Sequence, residues 1–176
     1  MHQLTAPLST YSDWLNYFEN LAESSKTISH EPENEKQQRF YTDWEALKGQ
    51  NVSGVLMLLL WQNAGYHEGK SDNQHFLPKV EVTILKAVGN NGEKELREAM
   101  DICLAETKRI HKRMYEDSRA GKDPRLFTFF RLDQITIQIL DDPKNNDGWA
   151  GVASSIPIGN PENMVYDEDE TDNWRF

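Results

Sequence analysis

Glu68-Gly69-Lys70 is the stretch of this 176-residue chain that comes nearest to a reaction centre. An acid and a lysine so spaced form half of a metal-dependent nuclease site, where carboxylates on a rigid strand hold magnesium beside a base-activating lysine. Here the triplet lies in a glycine-, asparagine- and aspartate-rich stretch with no clear second carboxylate, and a solvated loop is the better reading. His30-Glu31 and His67-Glu68 do not extend to the paired histidines of a helical zinc motif, and no CxxC occurs, so no metal site is expected. Asn145, Asp147 and Gly148 look like part of a calcium loop. Pro143 stands where the first ligand is required and Ser154 where the bidentate acid belongs, so a tight hairpin turn fits better.

Nucleophiles fare no better. The single cysteine, Cys103, falls on an apolar helical stripe, where a free thiol behaves as a small hydrophobe. Ser154-Ser155 lacks a glycine elbow, and Gly89-Asn90-Asn91-Gly92 is too short for a phosphate loop and misses its lysine. Neither catalysis nor a cofactor is expected.

The elements around these residues follow from hydrophobic period. Ser12 is a plausible N-cap for a helix to Glu23 with Tyr11, Trp14, Leu15, Phe18, Leu21 and Ala22 on one face. Residues 26–39 are polar and read as an exposed connector. Phe40, Trp44 and Leu47 then repeat at helical spacing, which suggests a short helix to Lys48. The apolar run Val55 to Trp61 suits a strand covered on both faces, and a buried helix is the other option. Residues 63–73 read as a hairpin loop. Val80, Val82 and Ile84 alternate with Lys79, Glu81 and Thr83, the pattern of a strand with one wet face.

Leu96, Met100, Cys103, Thr107, Ile110 and Met114 set one stripe on a long helix, Glu93 to Arg119. Leu126 to Leu140, with Ile135, Ile137 and Ile139 alternating, and Trp149 to Ile158 make a second hairpin. The expected fold is α+β: an antiparallel sheet of two β-hairpins packed against an N-terminal helix and one long central helix. Residues 1–161 form the domain and 162–176 an acidic tail.

The formal net charge is −10. Such a surface repels phosphate backbones and anionic bilayers, which disfavours sequence-specific nucleic-acid binding and membrane docking. The run Val55 to Trp61 is far short of the about 20 residues a spanning helix needs, and no signal peptide is apparent. Residues 162–176 carry six acids against one base, a net −5. Two features exceed this background. One is the 63–73 loop, with Tyr66, His67 and Glu68 placed to reach a neighbouring subunit. The other is the tail, which is either solvated or docks on a neighbour through Val165, Tyr166, Trp174 and Phe176, aromatics of the kind that anchor interfaces.

The order of an amphipathic helix, a hairpin, a long helix and a second hairpin, with the segments Phe76 to Val88, Lys108-Arg109-Ile110-His111-Lys112-Arg113-Met114 and Gly148-Trp149-Ala150-Gly151-Val152, resembles the tail-terminator or tail-completion proteins of tailed phages over residues 10–160. The resemblance implies a subunit that caps the tail tube at the head–tail junction. It further implies a homo-oligomeric ring, often of six copies, contacts with other virion proteins, and a place in the virion or the host cytoplasm. The connector at 26–39 and the acidic tail are not part of that pattern. A non-viral adaptor domain with an exposed groove is the alternative, and a nuclease centred on Glu68 and Lys70 the third.

Overall fold

The computed structural model describes residues 8, 11–47, 52–68, 74–88, 92–119, 130 and 132–158. Helix α1 spans Tyr11–Ser24, and helix α2 spans Glu93–Ser118. Five strands, β1 (Phe40–Tyr41), β2 (Val55–Glu68), β3 (Gln74–Ala87), β4 (Thr136–Leu140) and β5 (Trp149–Pro157), form one sheet in the order β1-β2-β3-β5-β4. β2 with β3 and β4 with β5 are antiparallel hairpins, joined through an antiparallel β3–β5 pair. The α+β architecture read from the sequence is the one observed.

The run Val55 to Trp61 is a strand because its alternate side chains serve two interiors. Val55, Met57 and Leu59 enter the cluster under the helices, with Trp14, Phe18, Cys103, Ile110 and Met114. Leu56 and Leu58 enter a second cluster on the opposite face, with Leu47, Leu85 and Trp149. In α1 the buried positions are Trp14, Tyr17, Phe18, Leu21 and Ala22, one face of a 3.6-residue period. The helix begins at Tyr11, so Ser12 lies in its first turn, not ahead of it. Tyr11 itself is exposed and its ring lies 5.0 Å from that of Trp61.

Other expectations fail. Phe40, Trp44 and Leu47 do not share a helix: Phe40 pairs in parallel with Met57 as β1, and Glu45–Leu47 is a single 3₁₀ turn. A helix would aim all three the same way, but Phe40 is needed in the cluster under α1, and Trp44 and Leu47 in the cluster opposite. β1 also makes the sheet mixed, not purely antiparallel. The 26–39 connector is not a free loop either. Ile28 and His30 are buried, and His30 ties the segment down. Its Nδ1 accepts from the Arg39 amide at 3.1 Å, which leaves Nε2 to face the Glu19 carboxylate at 3.4 Å.

In the second hairpin, Asp142–Gly148 is the tight turn expected. Asp142 accepts from the Lys144 amide at 3.1 Å, and Gly148, at φ 88°, donates its amide to Pro143 at 2.8 Å. Gly151 sits where β5 passes β3, and a Cβ there would lie 2.0 Å from the Ile84 carbonyl oxygen. The β3–β5 register ends at Lys79 opposite Pro157. Beyond it, among the described residues, the far ends of β2 and β3 pair only with each other, across an irregularity between Gln62 and Gly65. Pro78 falls opposite that irregularity, where a missing amide hydrogen does least harm.

Candidate functional site

Tyr66, His67 and Glu68 do not lie in a loop. They are the last residues of β2, paired through the backbone with Phe76, His75 and Gln74. The connection shrinks to residues 69–73, which include Lys70 and lie outside the described residues. Val165, Tyr166, Trp174 and Phe176 lie outside them as well. The structure thus places the first group at one end of the sheet.

Two surfaces not singled out in the sequence stand out instead. The first is strand β4. It is an outer strand of the sheet, and Ile137 and Ile139 are 50% and 48% exposed. Opposite Ser154 and Val152 in register, these isoleucines share the face that carries α2. The helix packs on β3 and β5, and they extend the apolar face past its cover. The strand reads Thr-Ile-Gln-Ile-Leu, without charge, proline or glycine.

The second is a cleft of about 540 Å³ between the end of α1 and the middle of α2. Its walls include Ser25, Lys26, Thr27, Glu106, Arg109 and Arg113. Two buried carboxylates build it. Glu106, 3% exposed, accepts from Ser25 Oγ at 2.7 Å and from Arg109 Nη1 at 2.8 Å. Arg109 Nη1 also reaches Thr27 Oγ1 at 3.1 Å. Asp117, also 3% exposed, accepts from the Tyr17 hydroxyl at 3.1 Å and from Arg113 Nε at 2.8 Å. Burial, followed by the Asp117 charge, pushes the Tyr17 phenol well above its ordinary range, so it stays a donor. The hydrogen bond to Asp117 raises the Arg113 guanidinium further, and it stays charged. A buried carboxylate needs such partners to remain ionised. In meeting that need, Glu106 and Asp117 fix where both guanidinium groups stand.

One signal for this cleft was present in the sequence. Glu106 falls between Cys103 and Ile110 at core-facing spacing, where an acid is out of place unless paired. Ser25 and Lys26 gave no such sign, because the segment that holds them reads as a solvated connector.

Reactive chemistry is muted elsewhere. Cys103 is fully buried, its thiol 3.9 Å from the Ala150 carbonyl, and burial pushes its pKa up to about 12. Burial lowers the pKa of His111, whose Nε2 has no hydrogen-bond partner among the described residues. Among the described residues no three histidine, cysteine or acidic side chains gather as a metal-binding group, and no helix is long and apolar enough to cross a membrane. The chain matches no protein-family model, and comparison with curated proteins gives no match.

Proposed function

We propose that the chain is a non-catalytic structural subunit that joins copies of itself edge to edge, in a ring of the kind formed by the phage tail-terminator proteins it resembles. The observation that carries this reading is β4. Sheets usually protect an outer strand with a lysine, a proline, a bulge or a cover, because its free amides and carbonyls invite another strand. β4 has none of the first three in its sequence, and its two isoleucines are half exposed.

The opposite border of the sheet offers a place to join. Among the described residues β1 covers only Met57 and Leu58 of the 14-residue β2. Adding β4 of one copy to the uncovered edge of β2 on the next is a head-to-tail contact, and head-to-tail contacts close into rings when the rotation allows. Covering two half-exposed isoleucines contributes about 1–2 kcal/mol per contact before the backbone pairs are added. A net charge of −10 suits a ring around a DNA passage, since it would not hold the passing phosphates.

Size-exclusion chromatography with light scattering tests this on the full chain and on Ile137→Lys/Ile139→Lys. The expected result is a multi-subunit mass for the parent and a single-chain mass for the variant, with unchanged circular dichroism. A single-chain mass for the parent at high concentration rejects the reading. It would favour a monomeric adaptor, the reading the basic cleft supports.

A further inference from the structure

The α1–α2 cleft is opposite in sign to the molecule that bears it. Lys26, Arg109 and Arg113 line it against the two buried carboxylates that build it, Glu106 and Asp117, a local +1 in a chain of net −10. Its acids are already engaged: both Glu106 oxygens accept hydrogen bonds, and Asp117 holds Tyr17 and Arg113. The cations are not used up. Arg113 meets Asp117 through Nε, so its two terminal nitrogens remain, and Lys26 makes no ion pair among the described residues. With the hydroxyl of Thr27, which accepts from Arg109 and keeps its own hydrogen to give, the cleft offers a row of donors fixed from below by buried carboxylates.

We propose that this cleft binds a carboxylate-rich peptide segment of a partner protein. Guanidinium forks match carboxylates two bonds at a time. The Arg109 and Arg113 side chains are 68% and 60% exposed, however, so each contact is screened and weak by itself. A lone small anion gains too little there. An acidic peptide offers several carboxylates on one backbone, and once the first is bound the others act at high effective concentration. The cleft volume lies within the about 300–1,000 Å³ of ordinary ligand sites, enough for several acidic side chains. A nucleic acid is the other polyanion, but no aromatic side chain on which a base could stack is among the described residues that line the cleft. This inference does not depend on ring assembly.

The test is fluorescence anisotropy of a labelled ten-residue peptide of alternating aspartate and glutamate, titrated with the full chain at low and physiological salt. Lys26→Glu should weaken binding about tenfold or more, and Arg113→Gln likewise. Lys26 is exposed and unpaired, so its reversal leaves the fold intact even if Arg113→Gln unsettles Asp117. Lys108→Glu makes the same change in net charge at an exposed position outside the cleft and should leave binding unaltered. Equal losses from Lys26→Glu and Lys108→Glu would overturn the proposal, as would no peptide binding at low salt. Tighter binding of a single-stranded oligonucleotide of equal charge, or displacement of the peptide by millimolar inorganic phosphate, would overturn it too.

Discussion

Strands β4 and β5 belong to one hairpin, and both put branched apolar side chains on the face that carries α2, yet their surroundings differ completely. β5 lies between β3 and β4, with α2 on one face and the Leu56, Leu58, Leu85 and Trp149 cluster on the other. Val152 and Ile156 are fully buried. Among the described residues β4 has a strand on one side only, and Ile137 and Ile139 stay half exposed opposite Ser154 and Val152. Alternation therefore reports which side chains share a face. It does not report whether anything covers that face.

The sharpest way to break this contrast is to overfill β5. Gly151→Val would push a side chain into the Ile84 carbonyl, which a Cβ would approach to 2.0 Å. The expected loss is at least about 3 kcal/mol, read as a collapsed denaturation midpoint or an unfolded circular dichroism spectrum. Unchanged stability would mean that β5 does not run against β3 as described.

Deleting methyl groups gives a finer comparison. Val152→Ala should cost about 2 kcal/mol in urea melts, because it leaves a cavity beneath α2. Ile139→Ala, directly across in register, should cost about 0.5 kcal/mol in the single-chain state, since its site is already wet. Equal costs would show that the β4 face is covered in solution, and a concentration dependence confined to Ile139→Ala would identify the cover as another copy.

The smallest effect concerns the helix that covers β5. His111 is buried with its pKa lowered by desolvation, so the folded state favours the neutral ring. The unfolded chain takes up its proton near the ordinary value of about 6.5, before the folded chain does. This contribution to stability is complete above that pH, declines as pH falls toward the lowered folded value, and is flat below it. Relative to His111→Leu, the parent should lose ground in melting experiments as pH falls from neutral through about 6.5. A parallel course for the two proteins would show that His111 is solvated.

Much of the frame was legible from period alone. Val55 to Trp61 as a strand buried on both faces and the stripe through Cys103, Thr107, Ile110 and Met114 stand. Lys79 to Ile84 is a strand as expected, but its second face is not wet, since Thr83 is buried and Leu85 enters the cluster opposite the helices. What stayed hidden depends on partners far apart in the chain. Glu106 is buried because Ser25, 81 positions away, meets it, and Tyr17 reaches Asp117 across 100 positions. The spacing of Phe40, Trp44 and Leu47 is periodic, but its residues belong to opposite sides of the sheet, which spacing cannot tell apart. The uncovered isoleucines of β4 look the same in sequence as covered ones.

The paired ends of β2 and β3 beyond Lys79 carry one further consequence. A ribbon of two strands with no third is marginal on its own in water. Backbone amides along β3 should then divide into two classes of hydrogen exchange, slow where β5 flanks the strand, from Val80 to Ala87, and fast from Gln74 to Leu77. Tyr66, His67 and Glu68 ride on the fast part. Whatever docks against that ribbon would supply its missing protection, so slowed exchange there would serve as a residue-level reporter of engagement.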